Sequence, residues 1–433
     1  MPSLRPIWRI ARLGLLLALV LVIVGCAAVR SFMPTPTPEP VEIRFAYRQN
    51  IANMEPLLNA FHAKYPWITV TPVEIDRWNG GAMDAAIRNG QVDVFRDTHD
   101  RAVQIARQDL LKPMEEFLTD EWHSIREDYY GGVWEAMSIN GVQYGVPAGL
   151  DLYVSYVNKT ALQALGLEAP AESWTLFDML ALSDALHNPD GLPGNEELKV
   201  AGCCTTPESV DPVIFIYLYG GSIVDDLENP TQPTLDDQDT IEAVQWYSEL
   251  FNLHAVAPDP DFIRKTFPRG GMTEAIIRGY CGVWLGWYSG RGGLDTPVEW
   301  TVDWQMLPLP KNDTGFELGD VDGYYMTKDC EHPREVAQFV RFLADYWQAA
   351  GQKLPPRKSL AHSDEYAASV GPEVMAVAQT FSDQVILVPY ENSDALYGTG
   401  EVLLMAINQI IRENLDPEPV LSEAQRKSLR NFD

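Results

Sequence analysis

YGVPAGLDLYVSYVNK, residues 144–159, decides how this chain is read. A Gly-x-Pro-x-Gly segment with the marks of a hinge delivers one carboxylate, Asp151, and then runs into LYVSYV, a nearly unbroken apolar strand. Continuous apolar runs of this kind belong to strands buried on both faces. An acid at the mouth of such a strand needs a partner or a task.

The surrounding chain alternates strand and helix signals, the pattern of an α/β fold with mostly parallel sheets. VEIRFAYR (41–48) reads as a first strand, MEPLLNAFHAKYP (54–66) as an amphipathic helix stopped by Pro66, and WITVTPVEI (67–75) as a second strand. A helix at 84–90 and a strand at 92–97 follow. Beyond the opening stretch, SWTLFDMLALSDALH reads as a helix capped by Ser173 or Thr175. IEAVQWYSELFNL (241–253) and REVAQFVRFLADYW (334–347) repeat apolar residues at helical spacing, which assigns most of their aromatics to core. GYCGVWLGWYSG (279–290) is a Gly-spaced apolar strand ending in an aromatic loop, and VDWQMLPLP (302–310) is a strand followed by a proline turn.

At 433 residues there is room for two or three domains. The net charge of −29, from 61 acids against 32 bases, repels phosphate backbones and argues against a nucleic-acid partner. Arg5, Arg9 and Arg12 precede the apolar run LGLLLALVLVIV (13–24), too short to span a bilayer comfortably but suited to a signal-peptide core. SFMPTPTPEPV (31–41) reads as an extended stalk. Cys203, Cys204, Cys281 and Cys330 allow three full pairings, and a bridge from Cys203 or Cys204 to Cys281 is the favoured one. No CxxC pair, HExxH, phosphate loop, GxSxG elbow or strand-linked GxGxxG is present, so no metal, cofactor or enzymatic activity is expected.

Ile23-Val24-Gly25-Cys26 resembles the lipobox of bacterial lipoproteins, which implies cleavage before Cys26 and lipid on its thiol. The ordered set of motifs over residues 41–420 resembles the extracellular solute-binding proteins of bacterial ABC importers, in the carbohydrate-binding family that includes the maltodextrin-binding proteins. The set comprises Phe61–Val70, QYGVPAGLDLYVSYVNK, GGSIVDD (220–226), GYCGVWLGW, MLPLP, VDGYYMTK and LPPRKSL (354–360). The resemblance implies two α/β lobes that close over a ligand, with the chain crossing near 147–152, 304–310 and 354–358. It divides the chain into a signal peptide (1–25), a lipidated stalk (26–41), a first lobe (42–150 plus 307–355) and a second (151–306 plus 356–433). It also implies a monomer at the outer face of the cytoplasmic membrane that delivers its ligand to the transmembrane subunits of a permease.

Sugar recognition combines flat aromatic faces with planar polar groups. Asp151 would then face ligand at the cleft floor. Asp97, Asp100 and Arg101 in FRDTHDR match polar ligand-reading positions, although the aromatic that maltodextrin-binding members carry near Asp97 is absent. Trp287 and Tyr288 occupy the place of a stacking aromatic, with Trp284 assigned to core. Asp322, Gly323, Tyr324 and Tyr325, Arg357 in the third crossing, Tyr397, Tyr47, Arg48 and Trp78 complete the candidates. Competing readings keep the importer role with a polyamine, a polyol phosphate ester or a peptide, or make the chain a surface glycosidase using Asp151 with Asp97 or Asp100, which needs carboxyls about 5–10 Å apart.

Overall fold

The computed structural model describes residues 39–47, 54–75, 81–118, 120–171, 173–227, 230–291, 301–311, 317–381, 386–387 and 393–432. Its strands are β1 (Val41–Tyr47), β2 (Ile68–Glu74), β3 (Val94–Thr98), β4 (Leu111–Lys112), β5 (Ser138–Ile139), β6 (Val142–Gln143), β7 (Gly145–Asn158), β8 (Ala201–Cys204), β9 (Cys281–Trp287), β10 (Trp304–Leu307), β11 (Leu318–Thr327) and β12 (Ile386–Leu387). Ten of them form one sheet with the path β2-β1-β3-β11-β7-β9-β8. β10 is added on β7, and β4 and β12 on β11, while β5 and β6 form a separate pair.

β7 holds the sheet together. All fourteen of its residues are buried. Its first half pairs with β11, from Gly145 opposite Tyr325 to Leu152 opposite Gly319. Its second half pairs with β9, Tyr153 opposite Trp287 through Val157 opposite Val283, and with β10 on the other edge. One strand therefore serves two half-sheets, each covered by its own helices. The expected parallel pairing holds at β1–β3 and β8–β9, but every pairing of β7 with β9, β10 and β11 is antiparallel. A strand that leaves one half-sheet for the other meets segments returning the opposite way, so the sheet is mixed.

The Gly-x-Pro-x-Gly segment is itself strand. Pro147 lies opposite Gly323, where the β7–β11 register shifts. A bulge tolerates the missing N–H donor that a regular ladder would demand. A Cβ on Gly149 would come within 2.8 Å of Arg96 Nη2 and 3.1 Å of Lys353 Cβ, so glycine here makes room for two cations.

On the β1 side, the aromatic rings of Phe45, Phe61, Phe339 and Phe342 pack edge-to-face at centroid distances of 5.0–5.3 Å. Phe61 is thus a core anchor of the helix Glu55–Lys64. On the β9 side, Trp174 and the helix residues Phe215, Tyr247 and Leu403 join Val157 of β7 and Val283 and Leu285 of β9 in one buried cluster. Thr175 caps the helix Leu176–Leu186 through a capping box with Asp178. Trp284 is core, stacked 5.4 Å from Tyr156.

Cys204 and Cys281 form a disulfide that ties β8 to β9 across 77 residues of sequence. Cys203 and Cys330 are buried thiols, and burial pushes the Cys203 thiol far above its ordinary value. Replacing Cys204 and Cys281 by alanine should lower stability by about 2–4 kcal/mol in urea unfolding. Alkylation of Cys203 should appear only once the chain unfolds.

Candidate functional site

Side-chain alternation along β7 puts Gly149, Asp151 and Tyr153 on one face. Asp151 lies directly opposite Asp320 of β11, and Tyr153 directly opposite Trp287 of β9. Directly opposed residues share a face. Asp322, Asp320, Asp151, Tyr153 and Trp287 therefore form one row across three strands, at the place where the two half-sheets meet.

The row is charged at one end and aromatic at the other. Lys353, in the segment following the turn Trp347–Ala350, brings its ammonium 2.7 Å from Asp322, 3.7 Å from Asp151 and 3.7 Å from Asp320. Arg96 of β3, fully buried, donates to Asp322 at 3.2 Å and to the carbonyls of Ala349 and Ala350 at 2.6 and 3.0 Å. Asp151 accepts the backbone N–H of Ser289 at 2.9 Å and also the Ser289 hydroxyl. Asp320 Oδ1 is buried without a hydrogen-bond partner.

These environments separate the carboxyls. Burial alone would raise Asp322, but Lys353 and Arg96 outweigh it and hold the group below its ordinary value. Burial raises Asp151 against the pull of Lys353 and Ser289. Asp320 is lifted to about 7 by burial, which Lys353 offsets only in part and which the neighbouring Asp322, Asp151 and Asp100 reinforce. Burial would lower Lys353, but the three aspartates reverse that and keep it charged.

At the aromatic end, Trp287 is half-buried and stands edge-on to Tyr153 at 5.0 Å, with an interplanar angle of 87°. Tyr153 donates its hydroxyl to Asp211 at 2.6 Å, and Asp211 also takes the Thr205 hydroxyl at 2.9 Å. The indole thus rests on a ring whose position is fixed from beneath. Tyr288 points inward: it is buried, its hydroxyl lies 2.6 Å from that of Tyr366, and Arg291 sits 4.1 Å above its ring.

The remaining candidates divide between this neighbourhood and the core. Asp97 is buried at the end of β3, opposite Gly323, and accepts the Thr98 N–H at 3.0 Å. Asp100 is half-buried and accepts the Thr98 hydroxyl. Arg101 turns away to pair with Asp84 at 2.6 Å. Tyr324 and Tyr325 are core residues, the latter beside Phe95 at 5.6 Å with its hydroxyl on Met137 Sδ. A Cβ on Gly323 would strike that sulfur and the Tyr325 ring. Tyr47 is buried and stacks on Phe45 at 4.9 Å. Arg357 is committed to Asp128 at 2.8 Å, Asp345 at 3.0 Å and the Ala344 carbonyl, a structural bridge between segments. Tyr397 is 55% exposed. Arg48, Trp78 and Cys26 lie outside the described residues.

Sequence reasoning missed Arg96, Asp320, Ser289, Tyr153 and Lys353. The alternation in LGDVDG (318–323) could have placed Asp320 with Asp322 on one face; nothing local marks Lys353. A separate cavity of about 570 Å³, lined by Glu42, Arg44, Asp93, Lys328 and His332 among others, lies at the opposite ends of β1, β3 and β11. Among the described residues no group of three or more His, Cys, Asp or Glu side chains is arranged to hold a metal ion, and no helix is long and apolar enough to cross a membrane.

The model of the bacterial extracellular solute-binding proteins matches residues 48–346. The chain belongs to that family. Solved structures share the architecture: the ABC substrate-binding protein Lmo0181 from Listeria monocytogenes, in complex with cycloalternan, superposes with a TM-score of 0.70 at 16% identity, covering 91% of this chain and 99% of its own. UgpB from Mycobacterium tuberculosis, in complex with glycerophosphocholine, gives 0.70 at 17%, with 92% and 99% covered. A cyclo/maltodextrin-binding protein complexed with maltotetraose gives 0.69 at 15%, with 92% and 99% covered. At such identities the likeness establishes the two-lobed periplasmic-binding-protein fold. This solute-binding protein is thereby placed, by its family, among the bacterial extracellular solute-binding proteins.

The helix His99–Arg107, which follows β3, opens on a pH-sensitive group. Burial, opposed by Asp100, lowers His99 to about 4, below its unfolded value of about 6.5. Stability from the neutral ring is present above pH 6.5 and is lost as pH falls toward 4, because the unfolded chain takes up the proton first. Relative to H99Q, the wild type should lose about 3 kcal/mol over that interval, measured by urea unfolding at each pH.

Proposed function

We propose that this solute-binding protein captures a saccharide between its two lobes and hands it to the membrane subunits of an ABC importer. In this reading residues 1–25 are removed and lipid on Cys26 tethers a monomer to the outer face of the cytoplasmic membrane. The stalk holds the body clear of that membrane. The lobes are residues 42–150 with 307–355, and 151–306 with 356–433. Closure buries hydroxyls against fixed polar groups and shifts an open–closed equilibrium.

The observation that carries the reading is the row on β11, β7 and β9, which sets the half-buried indole of Trp287 beside carboxylates on neighbouring strands. An apolar plate next to hydrogen-bond acceptors is what a sugar ring's two kinds of surface require. Trp287 is the stacking residue, with Tyr153 as its support. The relatives solved with cycloalternan, mannotriose and maltotetraose support the ligand class. A phosphate ester fits less well. Among the described residues near the row, Arg96, Lys353, Arg101 and Arg291 are each already engaged by aspartates or carbonyls.

Thermal unfolding of residues 27–433 with saccharides, polyols, polyamines and phosphate esters, each near 1 mM, tests this. A micromolar saccharide stabilises by about 4 kcal/mol at that excess, and W287A should weaken its binding roughly tenfold or more. Stabilisation by a polyamine or phosphate ester with none by any saccharide would overturn the ligand class.

A further inference from the structure

We infer that Lys353 is a positioning residue: by holding Asp322 of β11 and, on β7, Asp151, whose carboxylate takes the Ser289 turn that follows β9, it links the two half-sheets and sets the open–closed balance of the cleft. This rests on the reading that the lobes close over a ligand.

Its ammonium is the meeting point of two polar chains. One runs through Asp322 to Arg96 on β3, the residue before Asp97. The other runs through Asp151 to Ser289, two residues after Trp287. Candidate ligand groups on both sides of β7 are therefore joined through a single nitrogen, on a side chain only 11% exposed.

The charges around it do not balance. Asp151 approaches from β7, Asp320 and Asp322 from β11, Arg96 from β3 and Asp100 from the helix His99–Arg107. Arg291 binds the carbonyl of Gln352, next to Lys353, from the turn after β9. Three carboxylates meet Lys353, and only Arg96 helps to neutralise them. The surplus falls on Asp320, the one with a buried, unpartnered oxygen. Without the ammonium, the buried carboxylates of Asp151 and Asp322 and the partly buried one of Asp320 would face one guanidinium. β7 and β11 stay paired, so the carboxylates' repulsion is relieved by water reaching the face of the sheet on which Asp151 holds the Ser289 turn, which is opening. Removing the charge of Asp320 acts in the opposite sense and favours the closed arrangement.

Spin labels on E115C and E242C, at exposed positions on the two sides, report the separation in the full chain carrying C26S in mild detergent. At pH 8 without ligand, K353M should shift the pulsed-EPR distance distribution to longer values and broaden it. D320N should shorten or narrow it, and K353R should keep the wild-type distribution. Lowering the pH from 8 to 6 should carry the wild type toward the D320N distribution, since Asp320 takes up a proton near 7, and should leave D320N unmoved. A saccharide that binds the wild type should bind K353M roughly tenfold or more weakly.

The inference is overturned if K353M and D320N both retain the wild-type distribution, whatever their melting temperatures, or if K353R opens as K353M does. Should K353M fail to fold, D320N and the pH series decide. The distances need no ligand, so an absence of saccharide binding would overturn the proposed ligand class and leave this result standing by itself.

Discussion

A single buried strand carries both halves of this protein. β7 gives its first eight residues to β11 and its last six to β9 and β10. Among the described residues, the path of the sheet from β11 to β9 passes through its backbone. Because all fourteen residues are buried, its polar side chains must be satisfied from neighbouring elements. Asp151 makes this constraint acute. It stands at the changeover, its donors come from Ser289 on one side, and its counter-charge comes from Lys353 on the other. The arrangement of the site follows from satisfying that one carboxylate.

Asp151 also has a structural task. Each of its oxygens takes one hydrogen bond from Ser289, and a carboxylate oxygen has room for a second. Its visible effect is to pin the turn that follows Trp287, and hence to aim the indole. Asp211 performs a similar task from below by holding the hydroxyl of Tyr153. The aromatic plate is built on buried hydrogen bonds, which rigidify a surface only when every member is paired. Asp320 is the exception in the charged group, and an incompletely paired carboxyl is where such a group yields most readily.

The architecture was legible because it depends on periodicity and order. The strand and helix spans near 41–47, 55–64, 68–74 and 94–98 follow from local apolar patterns, and the capping box at Thr175 from a four-residue signal. The sense of pairing was less legible, since alternating strand and helix suggests parallel sheets while β7 and β11 are long returning strands. The candidate site was legible only in part. Trp287 stood out as an aromatic at the end of a Gly-spaced strand, and it is half-buried. Tyr288 carries the same local signal but turns into the core, a choice made by Tyr366 from a distant part of the chain together with the nearby Arg291. Arg357 attracted attention as a cation in a crossing segment. Lys353, four residues earlier, is the cation that reaches the row.

The contrast between these two cations follows from the width of the sheet. Leu354 bridges to Leu150, which places the backbone of residue 353 directly over Gly149. Because Gly149 has no side chain, the lysine stem can lie against β7 and deliver its ammonium between Asp151, Asp320 and Asp322. Arg357 lies beyond the edge of that contact and meets Asp128 and Asp345 instead. A larger residue at 149 would displace Arg96 as well as Lys353, and with them both cations that hold the carboxyls together. The glycine read from sequence as a hinge element therefore acts by its absence of bulk. It gives two cations access to the strand, and it is their charge, more than backbone freedom at Gly149, that governs how the halves meet.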